Sequence, residues 1–362
     1  MTFVLLSIEN LGSTILSKWS RISGFILIIF MGFLMGQGNA LVIPDYELYM
    51  NSYDFGWSNF ESGYTFLVGL GKSLGLEYSD FRQIITIVFS LILVISINRI
   101  TSNVALVAFL YSISLFVFDA IQIRNFMMLS LVVLAFSFLN EKKIKNYVVS
   151  IFIILIATTF HTLAIAFLIP VALSVLSYKI QRYLIMFLVT FELIFVFLMR
   201  FIGDDVIAIL QIILRTFSSR SLAVQSISSV YRNTANISSG ILAIVVSTLQ
   251  LAIIFYFMSK SDNLNKIIIW MLPMMTLGII SVFMMQISAD YCRLLRNTNL
   301  FAFIIIAVIL DGMHKSAKKI NVQRFWLTTF SIVLAVGSFL IQFILYPDAR
   351  MAIPYIIQLL KY

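Results

Sequence analysis

The chain has 362 residues, of which 61% are hydrophobic and only 11% are charged, and its mean hydropathy is +1.01. This composition excludes a soluble globular protein, and the apolar runs along nearly its whole length predict a polytopic, all-α membrane protein. The net charge of +9 indicates basic loops rather than nucleic-acid binding, because no basic run lies within a soluble recognition fold.

The first twenty residues contain Glu9 and Asn10 and lack the small-residue cleavage site of a signal peptide. They are expected to form an amphipathic helix on the cytoplasmic surface, and an ordered tail is the alternative. Lys18 and Arg21 place the N-terminus on the cytoplasmic side, because basic residues concentrate in cytoplasmic loops.

A single integral membrane domain is predicted to cover residues 1–362. Its apolar runs are approximately 22–36, 82–98, 104–118, 125–140, 147–177, 183–202, 239–258, 267–288, 297–312 and 325–345. Six acidic residues against one lysine place the segment 39–80 outside. The strongest cytoplasmic markers are Lys142, Lys143, Lys145, Lys315, Lys318, Lys319 and Arg324.

The run 147–177 has basic residues at both ends, with Lys143 before it and Lys179 and Arg182 after it. A full span needs about 20 residues, so this run cannot cross the membrane fully twice. We therefore predict a short helical hairpin that turns near 158–162. One long tilted helix is the alternative, and it would invert all the downstream topology.

With this hairpin we expect one bundle of about 11 transmembrane helices, with the N-terminus cytoplasmic and the C-terminus external. The two main external segments are then 37–81 and 203–238. Within the second, residues 205–217 are expected to form an interfacial helix lying along the membrane.

Arginine concentrates on the predicted external side, whereas lysine concentrates inside. Arginine presents a planar fork of N–H donors that matches a phosphate group, so this bias indicates an anionic ligand outside. Headgroup contact or pairing with the external acids is the alternative for any one of them. The external arginines are Arg82, Arg124, Arg200, Arg215, Arg220, Arg232, Arg293, Arg296 and Arg350.

The first external segment contains carboxylates beside aromatic residues. Asp45, Tyr49 and Tyr53 are spaced by four and would share one face of a helix. Carboxylates accept hydrogen bonds from sugar hydroxyls and rings stack on sugar faces, so this pattern suits a sugar, with an aromatic belt as the alternative. Glu61 and Tyr64 follow, and Glu61 is a candidate base or ion-pair partner, with interaction with a helix dipole as the alternative.

Three further positions carry ionisable groups at the edges of apolar runs. Arg124 opens the fourth run as a candidate anion ligand, and pairing with Asp119 across an external turn is the alternative. His161 lies at the predicted hairpin turn, where it is a candidate base or a structural cap. Arg293 and Arg296 share a helical face beside Tyr291 and form a candidate anion clamp, with outward-facing topology charges as the alternative.

The order of these motifs resembles the EpsG family of bacterial membrane proteins, which is related to Wzy-type polysaccharide polymerases. The motifs are D-Y-x-x-Y at Asp45, E-x-G-Y at Glu61, an arginine opening a span that ends in a lysine-rich loop at Arg124, and F-H-T at His161. They cover about residues 35–170.

One feature departs from the family pattern, in which the arginine precedes glutamine and small residues. Here Arg124 precedes Asn125, Phe126 and two methionines, so packing at that point is left open. In the second half, the resemblance rests on Tyr291 with Arg293 and on the Pro354-Tyr355 pair.

The resemblance implies a GT-C-like polymerase that joins undecaprenyl-pyrophosphate-linked oligosaccharide units on the outer face of the bacterial plasma membrane. It implies an inverting reaction without metal or cofactor. His161, Asp45 and Glu61, in that order, are the candidate bases. The candidate pyrophosphate and substrate ligands are Arg124, Arg293, Arg296, Arg215, Arg220, Arg232, Tyr49, Tyr64 and Tyr291.

The partners implied are lipid-linked oligosaccharides, membrane lipid, a chain-length regulator and a flippase, and no nucleic acid. Two other functions remain open. A lipid-linked oligosaccharide flippase or other transporter would need a midplane site and alternating access, but no internal repeat is visible. A membrane O-acyltransferase acting on polysaccharide would need an acyl donor reachable from the cytoplasm.

Overall fold

The computed structural model describes residues 2–16, 19–56, 60–139, 143–217, 237–259, 266–286, 289–313, 320–345 and 352–361. Within these ranges the chain is helical and contains no strand, so the predicted all-α architecture is confirmed. Helices suit this sequence because a helix satisfies its own backbone hydrogen bonds in lipid.

The first part of the chain forms a series of mostly short α-helices: α1 (Thr2–Leu16), α2 (Ser20–Gly36), α3 (Tyr46–Phe55), α4 (Ser62–Ser73), α5 (Tyr78–Ile100), α6 (Val104–Ser114), α7 (Phe116–Ile121), α8 (Ile123–Ser137), α9 (Ile144–Thr158) and α10 (Leu168–Leu173). A 3-10 helix, Thr162–Phe167, leads into α10.

The second part forms longer α-helices: α11 (Tyr178–Phe217), α12 (Ile237–Met258), α13 (Lys266–Met271), α14 (Met274–Met285), α15 (Cys292–Met313), α16 (Ile320–Leu345) and α17 (Ile353–Lys361). A 3-10 turn, Ala289–Tyr291, precedes α15. The side chains of α15 are almost all buried, so α15 lies at the centre of the bundle.

The bundle has two ends, which we name by their residues. The end that carries Lys143 and Lys145, at the start of α9, is called the lysine end. There, Thr101 and Ser102 donate hydrogen bonds to Asp311, with oxygen-oxygen distances of 2.6 and 2.7 Å. At the tyrosine end, Tyr46 packs edge-on against Tyr78 with 5.0 Å between the ring centroids. Successive long helices run between these two ends.

Five of the described helices are long and apolar enough to span a membrane. They are Tyr78–Ile100, Gly240–Met258, Ile268–Met285, Cys292–Met313 and Val322–Ile344. Five further apolar helices are shorter, with 10–17 residues. These helices support a polytopic protein, but not the predicted count of about 11 spans.

The hairpin predicted for 147–177 is confirmed. Helix α9 leads away from the lysine end, the chain turns after Thr158, and α10 returns beside α9. The hydroxyl oxygens of Ser174 and Tyr147 lie 3.4 Å apart, which brings the two ends of the hairpin together. The alternative of one long tilted helix is wrong.

We expected helix α1 to lie on the surface at the lysine end, but it does not. It packs antiparallel to α6, because Ser7 lies near Ser112 in α6, and Phe3 contacts Phe116, at the start of α7, with 5.4 Å between the ring centroids. Residue 2 is therefore at the tyrosine end, whereas Arg21 is at the lysine end. The surface position was predicted from polar residues such as Asn10, but Asn10 is buried and does not face water.

The expected external loop 203–238 is also corrected in its first part. Residues 205–217 do not form a separate interfacial helix, because they continue α11, which has 40 residues. A straight helix of that length extends for about 60 Å, well beyond a bilayer core of about 30 Å. The rest of that segment, 218–236, lies outside the described residues.

Unequal helix lengths place the start of α8 deeper in the bundle than the start of α5, and we call the region at that depth, around Arg124, the recess. Helix α8, with 15 residues, lies beside α5, with 23 residues. The two helices are level at the lysine end, where Arg99 donates to Ser137 at 3.1 Å. Helix α8 consequently begins about 12 Å below the start of α5. Arg124, in the first turn of α8, lies on the floor of this recess.

Candidate functional site

The floor of the recess carries an ion pair between two predicted site residues. The Arg124 guanidinium binds the Glu61 carboxylate, and both side chains are largely buried, with exposed fractions of 13% and 9%. Glu61 is the N-cap residue of α4, yet its side chain accepts no hydrogen bond from that helix. Its carboxylate therefore serves Arg124 rather than its own helix terminus.

Aromatic rings surround this ion pair. Arg124 lies over the ring of Phe60, 4.1 Å from the centroid, and its Nε donates to the Tyr49 hydroxyl at 3.4 Å. Tyr64 packs edge-on against Phe60 with centroids 5.3 Å apart. The guanidinium is thus held by a carboxylate, a phenol and a ring face, which fix its orientation.

Tyr64 has a polar group without a partner. Its side chain is 1% exposed, and its hydroxyl makes no hydrogen bond among the described residues. Burial raises the pKa of Tyr64 well above its usual value, so the phenol stays neutral and remains a donor. A buried hydroxyl without a partner is unfavourable unless a ligand or water satisfies it.

The hairpin turn meets the E-x-G-Y motif directly. The Gly63 N–H donates to the Thr159 carbonyl at 2.8 Å. A Cβ at Gly63 would overlap with the Thr159 hydroxyl, so only glycine allows this close approach. Glu61, Arg124 and the turn before His161 are therefore brought to one place.

His161 acts as the N-cap of the 3-10 helix that follows the turn. Its Nδ1 accepts a hydrogen bond from the Leu163 N–H at 3.2 Å. In the neutral ring the proton then resides on Nε2, because Nδ1 needs its lone pair for Leu163. The capping role considered from sequence is present, and the outer nitrogen of His161 is a donor.

Arg296 lies deeper than Arg124 and is paired with Asp119, with 3.4 Å between Nη2 and Oδ1 and side-chain exposures of 2% and 0%. Asp119 also accepts from the Tyr111 hydroxyl at 2.9 Å. The alternative of an Asp119–Arg124 pair is therefore wrong. Arg124 and Arg296 thus pair with different carboxylates, Glu61 and Asp119.

Amides extend this buried network across the bundle. Asn125 and Asn297 exchange two hydrogen bonds of 3.0 Å between α8 and α15. Gln122 accepts from Arg296 at 2.7 Å. The network joins the ends of α7 and α8 to the central helix, which fixes the floor beneath Arg124.

Arg82 is fully buried and pairs with no carboxylate among the described residues. It donates to the carbonyls of Met35 and Ala120 at 3.0 and 2.8 Å and to the Tyr78 hydroxyl at 3.2 Å. Those two carbonyls lie in the last turns of α2 and α7, where helix dipoles favour a cation. Arg82 therefore ties two helix C-termini together.

The remaining predicted residues lie on other elements or outside the described structure. Arg293 pairs with Asp290 at 3.0 Å, and burial raises the pKa of Tyr291 between them to about 12. Asp45 is the half-buried N-cap residue of α3, one turn before Tyr49. Arg215 belongs to α11 with its side chain outside the described structure, and Arg220 and Arg232 fall outside it entirely.

Sequence reasoning missed Phe60 and Tyr111 and took no account of Gln122. Tyr111 lies within an apolar run, and Phe60 and Gln122 lie between such runs, so the local pattern gave no signal. Arg82 was noted only as an external charge, although a lone arginine at the start of a span was a usable signal. The ligand roles of the predicted site residues stay predictions.

Comparison with known proteins supports the resemblance seen in the sequence. No curated protein and no solved structure matches the chain, so the GT-C-like architecture stays a prediction. The model of the EpsG family matches residues 21–357, which is most of the chain and extends well beyond the motifs of the first half. The chain therefore belongs to the EpsG family, whose members are membrane proteins of the Wzy-like polysaccharide polymerase type.

Proposed function

We propose that this protein is a surface polysaccharide polymerase that joins undecaprenyl-pyrophosphate-linked oligosaccharide units on the outer face of the bacterial plasma membrane. The observation that carries the proposal is the Arg124–Glu61 pair, set among Tyr49, Phe60 and Tyr64 at the floor of the recess. It combines an oriented cation with aromatic surface at one end of a membrane bundle.

The reaction forms a bond between an acceptor hydroxyl oxygen and the anomeric carbon of the donor sugar. It breaks the bond from that carbon to undecaprenyl pyrophosphate, which leaves as an anion, and the hydroxyl proton passes to a base. A cation near the leaving oxygen lowers the barrier because charge develops there. Arg124 takes this role, and Arg293 supports it from α15.

Glu61 is poorly placed to be the base in this scheme. In a single displacement the acceptor attacks from the side opposite the leaving group, so one directly bonded Arg–Glu pair cannot serve both sides. We assign Glu61 to orienting Arg124, because it binds the guanidinium directly. This role also explains why its side chain makes no capping hydrogen bond to α4.

The choice of base changes from the order expected from sequence. The Nδ1 of His161 is engaged by Leu163, so the neutral ring offers an N–H donor rather than an acceptor. Asp45 carries a carboxylate one helical turn before Tyr49, which contacts Arg124. We therefore assign Asp45 as the base and His161 as a donor to substrate.

Arg296 supports the site from beneath. It is buried and held by Asp119 and Gln122, so it positions α7 and α15 instead of touching the pyrophosphate. The hydroxyl of Tyr64 and the rings of Tyr49 and Phe60 supply hydrogen bonding and stacking for a sugar.

Purified protein in proteoliposomes with lipid-linked repeat units tests the proposal. A ladder of products spaced by one repeat unit is expected. Movement of the substrate across the bilayer without new glycosidic bonds would instead identify a flippase. Incorporation of an acyl group would identify an acyltransferase, and either result overturns the proposal.

A further inference from the structure

Helix α4 exposes an apolar face on the side away from the site. Phe66, Leu70 and Leu74 are exposed by 71%, 47% and 67%, and their spacing of four places them along one face. The opposite face carries Tyr64 and Gly71, which both lie against the ring of Phe81 in α5. Helix α4 therefore packs one face against the site and leaves an apolar face exposed.

The depth of α4 follows from the helices on which it rests. Gly63 bonds to Thr159 at the end of α9, which has 15 residues and starts beside Lys143 and Lys145. Such a helix rises about 22 Å, whereas the hydrocarbon core is about 30 Å thick. If α9 starts at the cytoplasmic boundary and runs along the membrane normal, the start of α4 lies about 8 Å inside the opposite boundary.

Helix α8 gives the same depth independently. It also has 15 residues, begins near Arg124 and ends level with Arg99 at the lysine end. Arg124 binds Glu61, the residue that precedes α4. Two separate short helices thus support the start of α4 at one level below the membrane boundary.

Helix α9, whose last turn contacts α4, also exposes apolar side chains. Helix α9 exposes Phe152, Leu155 and Ile156 up to the turn that α4 contacts. An apolar helix face at 5–10 Å depth is typical of a helix that lies in the membrane interface. The exposed side chains of α9 lie in the bilayer core and contact lipid. The exposed face of α4, which begins at the end of α9, therefore contacts lipid rather than water.

We propose that α4 lies within the outer leaflet, with Phe66, Leu70 and Leu74 inserted among lipid acyl chains. Burial of these side chains in lipid holds the opposite face of α4 against Arg124 and the hairpin turn. The E-x-G-Y motif is then a membrane-anchored wall of the site rather than part of an aqueous loop.

Site-directed fluorescence quenching tests this placement. A Cys292→Ala background, which removes a buried thiol, receives Phe66→Cys or Leu70→Cys, each labelled with an environment-sensitive fluorophore in nanodiscs. Spin-labelled lipids and aqueous iodide serve as quenchers. Phe152→Cys is the mid-bilayer control and Glu47→Cys, exposed on α3, is the aqueous control.

We expect labels at residues 66 and 70 to be quenched most by a lipid spin-labelled near its headgroup. The label at residue 152 should respond most to a lipid labelled mid-chain, and the label at residue 47 to iodide. Iodide quenching at 66 and 70 would show that the face is aqueous. Protection from every quencher would show that a protein covers it, and either result overturns the placement.

Photolabelling of the unsubstituted chain guards against misfolded variants. A phosphatidylcholine carrying a carbene precursor near its headgroup should label the peptide 62–76, as mapped by mass spectrometry. Absence of label there, with label on α9, also overturns the placement. Neither experiment measures polymer formation, so failure of this inference is distinct from failure of the proposed function.

Discussion

Asp119 and Arg296 form a buried ion pair that joins α7 to the central helix α15 across 3.4 Å. These residues lie far apart in the sequence and are both buried, and Tyr111 donates a hydrogen bond to Asp119 while Gln122 accepts one from Arg296. A buried pair is costly to break, since one partner alone is an uncompensated charge. It therefore anchors the floor of the recess.

Removal of one member of that pair should destabilise the protein strongly. We expect Arg296→Met to lower the free energy of unfolding by about 3–5 kcal/mol, because Asp119 is left unpaired. Thermal unfolding in detergent measures the effect. The double variant Arg296→Met with Asp119→Leu should recover part of the loss, and no recovery would contradict a specific pairwise interaction.

Arg124→Lys tests the leaving-group cation. Lysine keeps the charge but loses the planar fork that meets Glu61, Tyr49 and phosphate, so polymer formation should fall by about 10²-fold. The matched control is Arg99→Lys, which changes an arginine over the ring of Phe138 at the lysine end. A normal ladder from Arg124→Lys at the wild-type rate would exclude it as the clamp.

Asp45→Asn tests the base. The amide is nearly isosteric but accepts no proton, so the rate of polymerisation should fall by roughly 10²–10⁴-fold while lipid-linked substrate still binds. The rate is measured with purified protein, and Glu47→Gln on the exposed side of α3 is the matched control. Equal activity of the Asp45 and Glu47 variants would remove Asp45 from the mechanism.

Two substitutions separate the capping and donor roles of His161. His161→Asn keeps an acceptor near Nδ1 for the Leu163 N–H, and His161→Gln keeps a donor near Nε2. We expect the Asn variant to be stable but impaired in transfer. The Gln variant should lose about 1 kcal/mol of stability and retain more activity. Wild-type activity of the Asn variant would make His161 a cap alone.

Gly63→Ala should separate α4 from the hairpin turn. The new Cβ overlaps with Thr159, whereas Gly69, on the same helix, has open space around its Cα. We expect the Gly63 variant to unfold at a lower temperature and to lose activity. Gly69→Ala should be neutral or more stable by about 0.5–1 kcal/mol. Similar behaviour of the two variants would contradict the close contact.

Several features were predictable from residue pattern and charge. The all-helical class follows from apolar runs whose backbone must be satisfied in lipid, and the hairpin follows from the length of 147–177 between basic ends. The motifs at Glu61, Arg124 and His161 also indicated one functional region, because each places an ionisable group at the edge of an apolar run.

The partners of these groups were not predictable. Arg124 had Asp119 nearby in sequence, yet it binds Glu61, while Asp119 binds Arg296. The expected position of α1 on the cytoplasmic surface was wrong for a related reason, since Asn10 looks like a surface residue in the sequence but is buried in a helix that packs against α2 and α6.

The sequence by itself determined which segments are helical and which end of the bundle carries the acids, arginines and tyrosines, because hydropathy and charge act locally on each segment. Only the tertiary structure decided which charges meet and how deep they lie. Those depend on the unequal lengths of packed helices and on close contacts such as Gly63 with Thr159, which arise only when distant parts of the chain come together.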